Sequence, residues 1–461
     1  MSQALPGLLD ALRRELSPGA VLTGADAGAR HHSDWTRINP CAPAAVVRPC
    51  STEEVSLLLR RCHEASQPVV VQGGLTGLAG GATPRPGEVA LSLERLTGVE
   101  EVDRAGGTMR VLAGTPLAVV QDTAEAHGLQ FPLDLGARGS CTIGGNISTN
   151  AGGNRVIRYG MTRALVLGLE AVLADGTVVS SLNAMLKNNA GFDLKQLFIG
   201  SEGTLGVVTR AVLRLHPLPG ERLTAFVATD SFEALVQVLA AARAALGGQL
   251  ASFEAMWSDY YEFALRQLAV TNRPFAESHS HYALIELEAL DPQHDAERLT
   301  ALLVRMQEEQ LVADAVLAGS LEESARLWRV RDAAGELIIR LPNPVAYDVS
   351  VPIARMPRYL SDVCAGGGPL LGEHPALVFG HLGDGNLHVV ASLKSYAGLA
   401  GYDELVYGAL AGFGSVSAEH GIGVLKRKWL GLSRQPTEIA LMRSLKATLD
   451  PRGILNPGRV L

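Results

Sequence analysis

An α+β chain of two or three domains is the fold class this sequence predicts, and three observations carry the prediction. At 461 residues the chain exceeds what one hydrophobic core organises. Its first half opens with a β-α-β pattern and then sets three glycine-rich connections among strands. From about residue 220 to 415, strands alternate with helices, the pattern of an antiparallel sheet covered by helices on one face.

Residues 1–37 read as a short helix and an irregular lead-in, with Asp10, Arg13, Arg14 and Glu15 on a helical period. Ala44–Arg48 is an apolar strand, and Ser51-Thr52-Glu53-Glu54 has the spacing of a capping box. The helix it opens, to about Ala65, sets Val55, Leu58, Leu59 and Cys62 on one stripe. After the strand Pro68–Val71 comes Gly73-Gly74-Leu75-Thr76-Gly77-Leu78-Ala79-Gly80-Gly81-Ala82, whose five glycines let backbone N–H groups turn toward an anion. A plain turn is the alternative. No Gly-Lys-Ser/Thr follows, and G-x-G-x-x-G is absent, so neither a P-loop nor a dinucleotide fingerprint is present. Val89–Leu93 alternates like a strand.

A second run, Gly136 to Gly153, contains Ile143-Gly144-Gly145-Asn146-Ile147-Ser148-Thr149-Asn150-Ala151-Gly152-Gly153, with Arg158-Tyr159-Gly160 close behind. Small residues and amides at this density suit a backbone laid against a flat polar ligand, or a tightly packed turn of a sheet. Leu167–Val179 is a hairpin turning at Ala174-Asp175-Gly176-Thr177. The third run, Gly200-Ser201-Glu202-Gly203-Thr204-Leu205-Gly206, leads into a strand from Val207 to Leu215, and His216-Pro217 marks a domain boundary. Beyond it Leu223–Thr229 and His281–Leu290 read as strands, Phe232–Leu246 and Asp295–Gln310 as helices. The last helix, Glu438–Leu449, sets Leu441, Leu445 and Leu449 in register and stops at Asp450-Pro451.

The residues that point to chemistry are those of Gly380-His381-Leu382-Gly383-Asp384-Gly385-Asn386-Leu387-His388 and the pair Glu419-His420. Val378-Phe379 and Val389-Val390 read as strands joined by an Asp-Gly-bearing loop. Simple register sets His381 opposite His388, with Cβ atoms about 4.5–5.5 Å apart. Two neutral imidazoles so placed can share one ion, and a catalytic ion needs an anionic third ligand and an open position. Glu419 has the chemistry of that ligand and His420 that of a free base beside it. Ordinary polar residues of a glycine-rich turn are the plain alternative.

Composition narrows the classes. The chain is 47% hydrophobic and 19% charged, hence folded, and its net charge of −7 argues against a nucleic-acid partner. Lys426-Arg427-Lys428 reads as a solvated helix face or a docking patch. Aromatics make up 5% while glycines number 50, which favours a backbone-lined ligand site over a stacking platform. Cys41, Cys50, Cys62, Cys141 and Cys364 are odd in number and lack C-x-x-C spacing, so a reducing, cytoplasmic location is expected. A signal peptide and an apolar stretch long enough to span a membrane are both absent, so the expectation is a soluble or peripheral protein.

Together the three glycine-rich runs, the His-x6-His loop and the Glu-His pair resemble the FAD-linked D-2-hydroxy-acid dehydrogenases of the vanillyl-alcohol oxidase/PCMH flavoprotein superfamily, from about Pro40 to the C-terminus. Three stretches are most similar to the D-2-hydroxyglutarate dehydrogenase branch: Pro132-Leu133-Asp134-Leu135-Gly136-Ala137-Arg138-Gly139-Ser140-Cys141, the segment Asp193 to Gly206, and Ser415-Val416-Ser417-Ala418-Glu419-His420-Gly421. D-lactate dehydrogenases share the metal motif. The resemblance implies an N-terminal helical lead-in (1–37), a PCMH-type FAD-binding domain of two subdomains (38–219), and an α+β cap domain for substrate with an antiparallel sheet and metal site (220–415). A C-terminal helical segment (416–461) would complete the FAD and active sites.

By the same resemblance Gly73, Gly74, Leu75, Thr76, Gly77, Leu78, Gly80, Gly81 and Ala82 hold the FAD pyrophosphate. Pro132, Leu133, Gly136, Ser140, Thr142, Gly145, Asn146, Thr149, Asn150, Gly152 and Gly153 would line the flavin and adenine. Arg158, Tyr159, Gly160, Glu202, Gly203, Gly206 and Val207 would join them, and Asn456 would return to the flavin edge. No histidine or cysteine matches a covalent attachment position, so the FAD is expected to be non-covalent. His381, His388 and Glu419 would bind a divalent metal, zinc being the expected ion, with His420 the catalytic base. Arg331, in Trp328-Arg329-Val330-Arg331-Asp332, would pair with the substrate carboxylate, and Asn386 would touch substrate beside the two histidines.

The chemistry fits. Oxidising a 2-hydroxy acid removes the hydroxyl proton and passes a hydride from C2 to flavin N5. A metal on the alcohol oxygen lowers its pKa, a histidine accepts the proton near neutral pH, and an arginine grips the carboxylate bidentately. Three positions depart from the hydroxyglutarate branch: Ala346 replaces an expected lysine, Gly335 an expected hydroxyl residue, and Val390 an expected asparagine. These point toward a smaller or more apolar D-2-hydroxy acid such as D-lactate. The expected electron acceptor is an electron-transfer flavoprotein, a quinone or a cytochrome, oxygen being an alternative, and a homodimer is the expected assembly. A zinc hydrolase of a nucleotide would explain the His/His/Glu set but not the second and third glycine runs. A non-catalytic flavin or metal module leaves the clustered titratable groups unexplained.

Overall fold

The computed structural model describes residues 4–461, which divide into two compact units: residues to 153 with 160–218 and 419–461, and residues 154–159 with 219–418. The first unit begins with helix α1 (Ala4–Glu15) and contains a mixed and an antiparallel sheet. In the mixed sheet, β1 (Val21–Leu22), β2 (Ala45–Val47), β3 (Val69–Gln72) and β4 (Val89–Ser92) lie in the order β1-β2-β4-β3, the last three parallel. Helix α2 (Thr52–Glu64) makes the crossover from β2 to β3, burying Val55, Leu58, Leu59 and Cys62 completely. Ser51 caps it by accepting from Glu54 N at 3.3 Å. The reciprocal half of the box is displaced: Glu54 accepts from Cys50 N (2.8 Å) and Ser17 N (2.7 Å), tying the helix start to the lead-in.

The antiparallel sheet of the same unit contains β5 (Val99–Asp103), β6 (Thr108–Leu112), β7 (Val166–Val172), β8 (Val178–Ser181) and β9 (Val207–Arg214), in the order β5-β6-β9-β7-β8. Between these strands lie α3 (Leu117–Ala126) and α4 (Ile143–Thr149). The α4 helix falls inside the second glycine-rich run, which reads from sequence as backbone laid against a flat ligand or a packed turn; the Thr142 side chain caps it by accepting from Gly145 N.

The C-terminal helix Pro436–Leu449 forms, but its leucine stripe is only partly covered: Leu445 and Leu449 are half-buried, and Leu441 is 63% exposed. Polar contacts fix this end of the chain instead. Lys446 Nζ donates to Thr204 O and Leu455 O at 2.8 Å and pairs with Asp450. The fully buried Arg459 pairs with both oxygens of Glu88 and donates to Thr83 O.

The second unit is built on one antiparallel sheet of seven strands among the described residues. The elements are β10 (Glu221–Thr229), α5 (Phe232–Leu246), β11 (Leu250–Trp257), α6 (Ser258–Gln267), β12 (His281–Ala289), α7 (Pro292–Glu308), β13 (Asp314–Leu317), α8 (Leu321–Asp332), α9 (Ala334–Ile338), β14 (Pro344–Ser350), β15 (Leu377–His381) and β16 (Asn386–Ser392). Strand order is β13-β10-β12-β11-β15-β16-β14. Every residue of β12 from Tyr282 to Ala289 is buried, so both faces are covered rather than one. On one face Phe226, Met256, Tyr282, Leu284, Phe379 and Val390 pack with apolar residues of α6, α8 and α9. Helices α5 and α7 pack against the strands as well. The ladder pairings place Glu254, Glu286, Asp348, His381 and His388 on the face of that apolar cluster, so it is half apolar and half charged.

Candidate active site

A cleft of about 350 Å³ opens in the first unit, within the range of small-molecule sites. Its wall is rich in glycine and alanine: Gly73 to Ala79, Gly81 and Ala82 from the first run, Leu135 to Ala137, Cys141, Thr142 and Gly144 to Asn146, Ser148, Thr149, Ala151 and Gly152 from the second, and Glu202 and Gly203 from the third. Asp34, Val71, Leu93, Glu419, His420 and Asn456 complete it. Glycine is required where the walls meet. A Cβ on Gly74 would stand 1.9 Å from Ser140 O, and one on Gly73 2.6 Å from Thr142 Oγ1.

Several wall residues are held rather than free. Asn456 Oδ1 accepts from Val71 N (2.8 Å) and its Nδ2 donates to Glu202 O (2.7 Å), so its amide braces the wall from both sides. Glu202 accepts from Ile422 N (2.7 Å) and Gly423 N (2.8 Å), fixing the turn that follows His420; burial raises its pKa. Glu419 Oε1 accepts from Gly153 N at 2.6 Å. Burial also pushes the Cys141 thiol up, favouring its protonated form. Two buried polar atoms on this wall, Asn146 Nδ2 and Asp34 Oδ2, have no partner. A site with close main-chain approach, an unspent amide donor and an unspent carboxylate oxygen fits a polar ligand with both donors and acceptors, as FAD is.

The second unit holds the charged face. Glu254 is fully buried between His381 and Arg331: its Oε1 accepts from His381 Nδ1 at 2.6 Å and its Oε2 from Arg331 Nε at 2.9 Å. Burial alone would raise its pKa, but the two flanking bases hold it below the ordinary carboxylate value. With Nδ1–H given to Glu254, His381 turns Nε2 toward Arg331 Nη2 at 3.5 Å, so the imidazole and the guanidinium meet beside the carboxylate that holds both. Arg331 lies 4.8 Å over the Phe379 ring, and Tyr260 OH donates to Val330 O (2.9 Å) and Arg331 O, seating the end of α8.

His388 lies on the same face, its ring centre 5.5 Å from that of His381 at 79°. The two are not directly opposed: His388 pairs with Phe379, making His381 its diagonal neighbour. The difference comes from the turn, which closes in Leu382–Gly385 because Gly385 takes φ 83°, so that Asn386 already belongs to β16. Asp348 pairs with His388 on the other side, and its Oδ1 accepts from Asn386 Nδ2 at 2.8 Å. Asn386 Nδ2 also donates to Val349 O at 3.1 Å, so the amide nitrogen is spent inside the sheet while the buried Oδ1 has no partner. Two imidazoles with this separation, one held in a defined tautomer by a carboxylate, fit part of a divalent-metal site.

Some residues named from sequence lie off the cleft wall. Arg158 and Tyr159 belong to the second unit, where both bind Glu288; burial and that carboxylate push the Tyr159 phenol up. Arg155 joins them through Glu286 at 3.2 Å. Gly80, Pro132, Leu133, Ser140, Asn150, Gly153, Gly160, Gly206 and Val207 are in the first unit but do not line the cleft. Asn150 is the left-handed cap of α4, and a Cβ on Gly206 would meet the Phe198 ring at 2.7 Å, so packing explains both. Sequence reasoning passed over Asp34, Gly144, Ser148 and Glu254. For Glu254 a signal existed, the alternation Ser252, Glu254 against Phe253, Ala255.

Comparison with known proteins agrees with this geometry. The family model "FAD binding domain" matches residues 43–181, and "FAD linked oxidases, C-terminal domain" matches residues 218–460. The chain is 41% identical over 456 residues to the mitochondrial D-2-hydroxyglutarate dehydrogenase of Bos taurus, covering 98% of this chain and 83% of that protein. It is 41% identical over 452 residues to the D-2-hydroxyglutarate dehydrogenase of Xanthomonas citri pv. viticola, covering 96% and 94%. Among solved structures it matches p-cresol methylhydroxylase with a TM-score of 0.78 at 16% identity, over 100% of this chain and 97% of that one. It matches alkyldihydroxyacetonephosphate synthase with 0.73 at 18%, over 98% and 84%. Identities this low show the fold alone, which is of the PCMH type.

Proposed function

We propose, for a chain that belongs to the FAD-linked oxidase family and is therefore an FAD-dependent oxidoreductase, that it oxidises a D-2-hydroxy acid to the 2-oxo acid. The observation that carries the reading is Glu254, one buried carboxylate that fixes both an imidazole and a guanidinium on a single face. Arg331 is assigned to the substrate carboxylate, which its two Nη groups grip as a fork, setting which face of C2 is presented. His381, His388 and Glu419 are assigned to hold a divalent ion, zinc by its ligand chemistry, and such an ion would supply Lewis acidity for loss of the hydroxyl proton. His420 is assigned as the base that takes the hydroxyl proton. Bound FAD supplies the acceptor for the hydride leaving C2. A cytoplasmic location and electron transfer to a flavoprotein, quinone or cytochrome belong to the same reading.

D-2-hydroxyglutarate is the first substrate candidate, supported by the names of the relatives at 41% identity. A second reading, a D-2-hydroxy acid with a small or apolar side chain such as D-lactate, is favoured by one local observation. Ala346 pairs with Val390, and Val390 with Leu377, so the row next to Asp348 and His388 on the same face offers no group for a second carboxylate.

The test is dye-linked flavin reduction by D-lactate, D-2-hydroxyglutarate, D-malate and D-mandelate in metal-replete protein, with L-isomers as controls. Bleaching by D-isomers alone is expected, and the ranking decides between the two readings. In His420→Ala, FAD and metal content should persist while turnover falls by about 10²–10⁴. Full activity in that variant would remove the base assignment.

A further inference from the structure

Asp34 comes from the irregular lead-in, yet it lies on the wall of the first unit's cleft with 3% of its surface exposed. Its Oδ1 accepts from Thr36 N (3.1 Å) and Thr36 Oγ1 (2.5 Å), and its own N–H donates to Thr83 Oγ1 (3.1 Å). Its Oδ2 has no partner. The surrounding segment is buckled to the mixed sheet: His31 Nδ1 and Gln72 Oε1 are 2.8 Å apart, and Gln72 Nε2 donates to His31 O and Ala82 O at 3.0 Å. The carboxylate is therefore fixed in place. A Cβ on Gly77 would stand 3.7 Å from Oδ2, which sets the free oxygen beside the first glycine-rich loop.

A buried carboxylate oxygen without a donor is costly, so this one is built for a group that arrives with the ligand. FAD offers two kinds of group near such a loop. Its pyrophosphate only accepts hydrogen bonds and carries negative charge, which Asp34 would repel. The ribityl and ribose hydroxyls on either side of the pyrophosphate donate. We propose that Asp34 Oδ2 accepts a hydrogen bond from a sugar hydroxyl of bound FAD, which makes the lead-in part of the cofactor site. The ribityl and ribose sources share this chemistry and are separated by fragments of the cofactor.

The experiment measures dissociation constants of FAD, FMN and ADP for the deflavinated full-length chain, wild type, Asp34→Ala and Asp34→Asn, with the melting temperature of each FAD-free protein as a fold control. Asp34→Ala should weaken FAD about ten- to a hundredfold, the scale of a hydrogen bond to a charged acceptor. Loss on FMN with ADP unchanged identifies the ribityl chain; loss on ADP with FMN unchanged identifies the ribose; either supports the proposal. Asp34→Asn keeps the shape and the Thr36 contacts, and should fall between wild type and alanine. It decides the matter alone if Asp34→Ala does not fold. Unchanged FAD affinity in Asp34→Ala overturns the proposal, as does equal loss on FMN and ADP, the mark of a distorted cleft. FAD binding as tight as wild type or tighter in Asp34→Asn also overturns it, tighter binding showing that the oxygen faces the pyrophosphate.

Discussion

The two units approach their ligands with opposite materials. The first unit's cleft is rich in glycines that let stretches of main chain approach closely, and polar side chains such as Asn456 and Glu202 brace that wall. The second unit presents charged side chains on a rigid sheet and uses another buried charge, Glu254, to aim two of them. A backbone wall recognises a large ligand by shape and amide direction, and tolerates no extra atom where it is tight. A charged face recognises small groups by direction and protonation, so an isosteric change can alter its chemistry without disturbing its packing.

The largest effect that separates these designs is expected at Gly74. Its alanine variant places a methyl 1.9 Å from the Ser140 carbonyl oxygen, a backbone atom that cannot turn aside. The two runs must then part, at about 3 kcal/mol or more. The FAD-free chain should melt earlier and the purified protein should lack flavin. A yellow, normally stable Gly74→Ala protein would show that the cleft wall is not set by main-chain contact.

The second unit should respond differently. Glu254→Gln keeps the size of the side chain but presents an NH₂ to one of two donors, Arg331 Nε or His381 Nδ1. FAD content should stay at wild-type level, while metal affinity measured by chelator competition falls about 10–100-fold, the usual cost of losing an orienting carboxylate. KM should rise as well, because Arg331 loses its counter-charge. Unchanged metal affinity and KM would reduce Glu254 to a buried ion-pair partner with no role in aiming.

The contrast also explains what the sequence made legible. Glycine-rich runs and the His-x6-His spacing are visible because composition and spacing are local properties. Helix α4 was not, since paired Gly144 and Gly145 disfavour a helix, while the cap from Thr142 and the close approach of Gly144 to Ala113 appear only in the fold. The pairing of His388 with Phe379 depends on where the chain reverses at Gly385, which a periodicity argument locates only to within a residue or two. Glu254 and Asp34 are more than a hundred and about forty positions from the residues they serve, His381 and Gly77. A lone acid in a strand or a lead-in carries no sequence mark of such a partner. The C-terminal helix teaches the converse: Leu441, Leu445 and Leu449 have the right period, yet two are only half-buried and Leu441 is exposed, because period reports a stripe and not what covers it.

The smallest expected effect is at Gly77, and it divides the backbone wall into two kinds of glycine. A Cβ there meets nothing closer than Asp34 Oδ2 at 3.7 Å, an ordinary contact. Gly77→Ala should therefore leave the stability of the FAD-free chain within about 0.5 kcal/mol of wild type. The methyl nevertheless points into the cleft beside the carboxylate assigned to a sugar hydroxyl, so FAD should be released faster from the variant, as read from the rise of free flavin fluorescence on dilution. Gly74 would then be glycine for the protein and Gly77 glycine for the cofactor. If Gly77→Ala instead melts as early as Gly74→Ala, the loop is a packed turn throughout, and the open side of the cleft is not where the ligand lies.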